Sequence, residues 1–375
     1  MKIKEKAEDF VVEEVFTVKH SKNDCVVFTL EKMNWETIGI IKVMARKVGG
    51  SQKRFGYAGL KDRRAVTRQK VSVYGVGEEQ LEQLALPRVN IFDIEKGDCI
   101  RLGDHVGNKF DVLVKDAHLD PERAERVNCG FPNYFGKQRF GEVRPITHEV
   151  GKEMVKGNFD EAAFIFVAKP FPEEKYYEVR KELWETQDFE RAKKEYPRTL
   201  LYERAMLDRI HLGGREAFKV LPLRLNTLFI HAYQAFLFNR IVERRFREVP
   251  VYEVEPGDVV ISWIEGRKVV TVAGPHNMDK IKEEGLCAAA PIIGYKTQVK
   301  GRIKDITEFV LEEEGIKKED FQIKEFPSLS SRGTYREILG KASEFSYSIL
   351  KEGIRLKFFL PKGQYATVFL EELFD

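Results

Sequence analysis

The chain has little of what metal, redox and phosphate chemistry usually require. It holds four cysteines in 375 residues, Cys25, Cys99, Cys129 and Cys287, and no two of them form a C-x-x-C pair. That spacing excludes a zinc ribbon and points away from a disulfide framework. There is no G-x-x-x-x-G-K-[ST] phosphate loop, no H-E-x-x-H and no G-x-S-x-G. Ser348 and Lys351 fit the S-x-x-K pattern, which short sequences meet by chance. The expectation is a protein that needs no metal and no cofactor. Long apolar runs are missing too. The longest, around Cys287 to Tyr295, contains Pro291 and falls far short of a membrane span. The opening MKIKEKAEDF is charged and lacks the apolar core of a signal peptide. These absences predict a cytoplasmic protein with no membrane contact and no obligate protein partner.

Charge of one sign is also scarce, since 63 Lys and Arg against 60 Asp and Glu leave a net charge of +3. Global basicity therefore does not announce a nucleic acid, and only local clustering can. Charged residues nevertheless make up 33% of the chain while Asn and Gln are sparse, a balance that leans towards a thermophile.

What is present is ample apolar surface, 43% of residues with 27 Phe, in a length that predicts two domains. Glu8 to Lys19 and Cys25 to Leu30 read as strands, and Trp35 to Val48 as a helix stopped by Gly49 and Gly50. Gln69 to Tyr74 reads as a strand. Residues 88 to 115 read as strands joined by turns at Gly97-Asp98 and Gly107-Asn108. Pro121 to Asn128 reads as a short helix. From about Gly151 the character shifts to charged helical segments such as Glu173 to Ile210. Leu225 to Phe246 follows as an amphipathic helix that could pack on either lobe. Residues 251 to 275 return to strand and turn composition, and Ile354 to Leu373 reads as two strand-like runs around Pro361-Lys362-Gly363.

One stretch stands apart, FGYAGLKDRRAVTRQK from Phe55 to Lys70. It sets Asp62 between Lys61 and the pair Arg63 and Arg64, with Lys53, Arg54, Arg68 and Lys70 close by. Cations at this distance favour the ionised carboxylate. Gly56 and Gly59 are expected to leave room for the close approach of a ligand, and Asp62 to lie on a loop between strands, where rigid scaffolds tend to hold catalytic groups. A basic surface turn with one compensating acid would look the same in composition.

The residue order goes further. YAGLKDRRAVTRQ, together with NYFGKQRFG from Asn133 to Gly141, resembles the signatures of the TruD-type pseudouridine synthases, which isomerise uridine within RNA. The closing stretch LPKGQYAT from Leu360 to Thr367 also resembles that family, and the resemblance is weak between about residues 150 and 330. It implies an α+β fold: a pseudouridine synthase catalytic core, a mixed and largely antiparallel sheet flanked by helices, with a large inserted α/β domain. The core would comprise 1–155 and 336–375, and the insertion 156–335.

The resemblance makes Asp62 the essential carboxylate, acting as nucleophile at C1′ of the ribose or as base at C2′. Lys61 would hold Asp62 in place or bind phosphate, and Glu14 and Lys4 would support the site. Phe135 would stack on the unstacked uracil, returning roughly 1–3 kcal/mol against an unstacking cost of similar size, with Asn133 hydrogen-bonding near it. Phe10 would line the site or serve as strand core. Arg63 and Arg64 would meet the RNA backbone, while Phe238 and Asn239 would be structural. The implied partner is tRNA, at the uridine in position thirteen. Two other classes compete: an RNA-binding protein that keeps the fold without catalysis, and a nucleotide-dependent enzyme. The intact Asp62, Phe135 and Asn133 argue against the first, and the missing phosphate loop against the second.

Overall fold

The computed structural model describes residues 1–249, 253–264 and 267–374. The chain divides into two compact units, Met1–Phe131 with Gly340–Asp375, and Pro132–Leu339. The expected boundary near residue 155 therefore lies about two dozen residues later than the one observed. The reason is packing: helix Thr147–Val155 buries Val150 and Met154 in the core of the second unit. Its Gly151 lies so close to a neighbouring helix that a Cβ there would stand 2.0 Å from the carbonyl oxygen of Phe229.

The first unit is built on an eight-stranded sheet. Its path runs Ser343–Leu350, Gly353–Pro361, Gly107–Val114, Phe10–Val15, Val66–Tyr74, Cys25–Met33 and Val89–Gly97, with Phe55–Tyr57 paired beside Val66–Tyr74. Only Phe10–Val15 against Val66–Tyr74 is parallel, and the other pairs are antiparallel. The alternation of strand Gly353–Pro361 is plain, with Ile354, Leu356, Phe358 and Leu360 buried. Helix Thr37–Lys47 covers one face of the sheet through Ile40, Ile41, Met44 and Ala45, which meet Phe28, Leu30, Val71 and Val73.

Three local expectations give way. Gly107 starts a strand instead of a turn, and a Cβ on it would stand 2.3 Å from the carbonyl oxygen of Leu360, so the neighbouring strand needs glycine there. Residues after Gln364 form helix Ala366–Phe374, not a second strand. Short apolar runs are ambiguous in period, but Ala366, Phe369, Leu370 and Leu373 repeat at i, i+3, i+4 and i+7 and are all buried. Phe369 packs on Phe358 with ring centroids 4.6 Å apart. The cysteines are the third case, because Cys25 and Cys99 form a disulfide with Cα atoms 5.2 Å apart. Sheet register sets Cys25 opposite Gly97, two residues from a partner that lies 74 residues away in sequence.

In the second unit, helix Leu223–Glu248 is the central element, burying Phe229, Ile230, Tyr233, Leu237, Phe238 and Ile241. Its place, open in the sequence, is against Thr147–Val155 in this unit. The stretch Glu173 to Ile210 breaks into Tyr177–Thr186, Phe189–Glu195 and Leu201–Leu207. A left-handed Gln187, φ 53°, ends the first. A four-stranded antiparallel sheet runs Thr334–Glu337, Ala288–Ile292, Val259–Ile264 and Arg267–Val272. Residues 251, 252, 265 and 266 of the predicted strand and turn region lie outside the described residues. Among the described residues no helix is long and apolar enough to cross a membrane.

The second unit also buries charge. Arg180, 1% exposed, donates from Nε to Glu174 at 3.0 Å and from Nη2 to Glu203 at 2.6 Å. Its Nη1 donates to the carbonyl of Val167 at 2.6 Å. Removing one member of such a cluster leaves uncompensated charge in the interior. Arg180→Met should lower the stability of the protein by about 3–5 kcal/mol in denaturant unfolding. A loss under about 1 kcal/mol would place the network among interactions of surface strength.

Candidate active site

Strands Phe55–Tyr57 and Val66–Tyr74 are joined by residues 58–65, and Asp62 sits on that connection. Its side chain is 38% exposed, and Oδ2 accepts a hydrogen bond from Lys4 Nζ at 2.6 Å. A charge-assisted contact of this length is among the stronger hydrogen bonds a side chain makes. Lys4 reaches it from a left-handed backbone, φ 58°, a conformation that non-glycine residues seldom adopt and that clusters at functional sites. The same ammonium lies 4.1 Å from the centre of the Phe10 ring. Phe10 itself is 2% exposed and packs edge-on against Phe110. It is core with one face supporting Lys4, and is closed to stacking by a base.

Lys61 points away from both tasks foreseen for it. Its Nζ donates to Glu14 Oε2 at 2.6 Å, with the two side chains 6% and 0% exposed. Glu14 also accepts at Oε1 from the Lys70 backbone at 3.3 Å. Two neighbours in sequence thus form separate pairs, Lys61 inward with Glu14 and Asp62 outward with Lys4. Arg63 and Arg64 are exposed, and Arg64 Nη2 donates to the Glu5 carbonyl at 2.8 Å. Gly59 stands open to a side chain, with its nearest neighbours 3.7 Å from a built Cβ, while Gly56 does not. A Cβ at Gly56 would meet Ile100 O at 2.3 Å, so that glycine serves the protein's own packing instead of a ligand.

Sequence reading missed the support beneath this loop. Lys32 Nζ, on strand Cys25–Met33, donates to the carbonyls of Trp35 at 2.7 Å and Asp62 at 3.0 Å. Lys61 N donates to Thr37 Oγ1 at 3.0 Å, and that hydroxyl donates to Gln69 Oε1 at 3.2 Å. Gln69 Nε2 completes the chain to the carbonyl of Gly59 at 3.1 Å. No motif marks Lys32 or Thr37, ordinary members of a strand and a helix, and Gln69 closes the YAGLKDRRAVTRQ stretch with nothing in its residue type to show that it braces the loop. His105 was missed as well. Burial, then the nearby charge of Lys61, lowers its pKa, which favours a neutral imidazole.

Asn133 and Phe135 belong to the second unit. Asn133 is 5% exposed and its amide is committed: Nδ2 donates to Glu337 O at 2.9 Å and Oδ1 accepts from Arg336 Nη2 at 2.6 Å. It holds Arg336 in place, in contrast to the expected contact with a base. The Arg336 guanidinium in turn lies 4.2 Å over the Phe135 ring, which meets Phe238 edge-on at 5.4 Å. Asn239 clamps the peptide of Phe135 from both sides, accepting from its N–H at 2.8 Å and donating to its carbonyl at 2.9 Å. Phe135 lines a cavity of about 460 Å³ with Arg139, His231, Gln234, Arg332 and Arg336. An aromatic ring among guanidinium groups suits a nucleobase and its phosphate. Among the described residues, the one cluster with metal-donor spacing is Asp24, Cys25 and Cys99, whose sulfurs are joined to each other.

Residues 1–373 match the family model described as tRNA pseudouridine synthase D (TruD). Relatives described as probable tRNA pseudouridine synthase D include one from Pyrococcus abyssi, 38% identical over 99% of this chain and 95% of its own. Another, from Thermococcus sibiricus, is 36% identical over 99% and 94%. A crystal structure described as that of the "Putative tRNA pseudouridine synthase D (TruD)" from Methanosarcina mazei superposes with a TM-score of 0.82 at 33% identity, covering 100% of this chain and 93% of that one. The mixed, largely antiparallel sheet with flanking helices is the fold of that group.

The buried Lys61–Glu14 pair is testable by itself. Glu14→Gln leaves the Lys61 ammonium without its counter-charge in the interior, and thermal or denaturant unfolding should register a loss of about 3 kcal/mol. A stability equal to wild type would mean that Lys61 finds solvent once its partner is neutral.

Proposed function

The chain belongs to the tRNA pseudouridine synthase D family, and from that premise we propose that Asp62 is the carboxylate through which it isomerises uridine in tRNA. The observation that carries this is the Asp62–Lys4 pair at 2.6 Å on an accessible loop. Lys4 holds one carboxylate oxygen, Oδ2, and the group presents negative charge to the ribose. The reaction breaks the bond from N1 of uracil to C1′, turns the uracil, and joins C5 to C1′. The hydrogen on C5 then leaves as a proton, and N1 takes up a proton in its place, so the product is an isomer of the substrate. No electron is gained or lost, so the step asks for a positioned carboxylate, as nucleophile at C1′ or base at C2′. Lys61 and Glu14 contribute as a neutralised buried pair under the loop, while Arg63 and Arg64 are placed to meet phosphate. Phe135, its peptide held by Asn239 and its ring faced by Arg336, stacks on the unstacked base.

The substrate position is the uridine at site thirteen of the D-arm, and the enzyme acts in the cytoplasm. The inserted unit, taken as Pro132–Leu339, serves RNA recognition and leaves bond chemistry to the first unit. Mapping pseudouridines on unmodified tRNA transcripts incubated with the protein tests the position, and product at other uridines alone would overturn it.

Asp62→Asn keeps the size of the side chain and removes its charge. Turnover, read as tritium released from C5 of uridine, should drop below detection, while a binding titration should show tRNA affinity close to wild type. Phe135→Ala should slow turnover less completely, since losing one stacked ring costs roughly 1–3 kcal/mol. Near wild-type tritium release from Asp62→Asn would move the catalyst elsewhere.

A further inference from the structure

Three polar side chains from three elements are buried under the Asp62 loop, and each ends on its backbone or on a group that does. Lys32 is 0% exposed, Gln69 1% and Thr37 2%. Lys32 is the unusual one, since a full charge almost never lies at zero exposure without a carboxylate in contact. Its two hydrogen-bond acceptors are carbonyl oxygens, of Trp35 and of Asp62 itself. Across the sheet it faces Thr67 on one side and Val89 on the other, both uncharged. The charged groups acting on it are Asp62, Lys61 and Glu36, the last just before helix Thr37–Lys47.

We infer that Lys32 is a positioning residue for the Asp62 carboxylate, fixing the peptide that carries it; the inference rests on Asp62 being the reacting group. The ammonium ties the carbonyl of Asp62 to the carbonyl of Trp35, so the loop is bound to the chain segment that opens helix Thr37–Lys47. The Asp62 side chain is then aimed by two anchors at once, Lys32 on its peptide and Lys4 on its carboxylate. Reaction rates are steep in such placement, and a shift of 1 Å can cost on the order of 100-fold.

A purely structural role predicts something different, and the charge decides it. Burial lowers the Lys32 pKa from 10.5 to about 8, with Asp62 opposing that shift and Lys61 adding to it. Between those values the folded protein binds fewer protons than the unfolded chain, so stability rises with pH across that window. Below about pH 8 the buried cation therefore works against folding. Replacing it with an apolar chain of similar length removes that penalty while losing two hydrogen bonds, and the two effects offset each other.

The test compares Lys32→Met with wild type at neutral pH in three measurements: single-turnover tritium release at saturating tRNA, tRNA affinity, and Tm. Expected is a rate lower on the order of 100-fold, unchanged affinity, and a Tm within about 4 °C of wild type or above it. A rate within about twofold of wild type overturns the inference, and so does a loss of affinity or Tm that tracks the loss of rate. Should Lys32→Met fail to fold, Lys32→Gln, whose shorter amide cannot span both carbonyls, is read by the same criteria. Asp62→Asn run in parallel separates the two assignments. If it is active, the reading of Asp62 has failed; if it is inactive while Lys32→Met is fast, only the role of Lys32 has.

Discussion

A loop that carries a partly exposed carboxylate has its own backbone N–H and C=O groups to satisfy, and three of those between residues 59 and 62 are met from below. Gln69, Thr37 and Lys32 take Gly59, Lys61 and Asp62 in turn. Each comes from a different element, so the loop inherits the rigidity of strand Val66–Tyr74, helix Thr37–Lys47 and strand Cys25–Met33 together. Hydrogen bonds in a dry interior are hard to replace once lost, which makes this floor the constraint on which the aim of Asp62 depends. The carboxylate can then stand partly exposed without being mobile.

The basic signature around Asp62 turns out to be several devices with different physics. Lys61 and Glu14 neutralise each other in the interior, where a separated pair would be costly. Lys4 and Asp62 pair where solvent still reaches them, so their charge remains available to a substrate. Arg63 and Arg64 stay at the surface. Lys32 is buried among carbonyl groups, and its lowered pKa is the signature of that placement. Four kinds of cation in and against this loop thus differ by exposure and by partner, and their chemistry follows from those two properties.

In the second unit the same economy of means fixes an aromatic ring. Asn239 holds the peptide of Phe135, Phe238 packs against its edge, and Arg336 lies over its face. Phe238 and Asn239 lie on helix Leu223–Glu248, the longest element of the unit, so the ring is tied to the part of the core least able to shift. A ring with few remaining conformations has little entropy left to lose in any further contact. The Gly151 approach to Phe229 belongs to the same core and explains why helix Thr147–Val155 sits in this unit.

Local periodicity was enough to read strand Gly353–Pro361, helix Thr37–Lys47 and the strand leaving the Asp62 loop, because burial on one face writes itself into neighbouring residues. The order of residues around Asp62 and from Asn133 to Gly141 likewise identified the family and the loop that bears the carboxylate. Register and packing decided the rest. Cys25 met Cys99, and Lys61 met Glu14, through sheet pairings that join residues 74 and 47 positions apart, and no local pattern encodes such distances. Helix Ala366–Phe374 competed with a strand until Phe369 found Phe358. Lys32 reads in the sequence as one more charged residue on a strand. Only the closure of strand, helix and loop around it removed water from its ammonium and left the carbonyl of Asp62 as its partner.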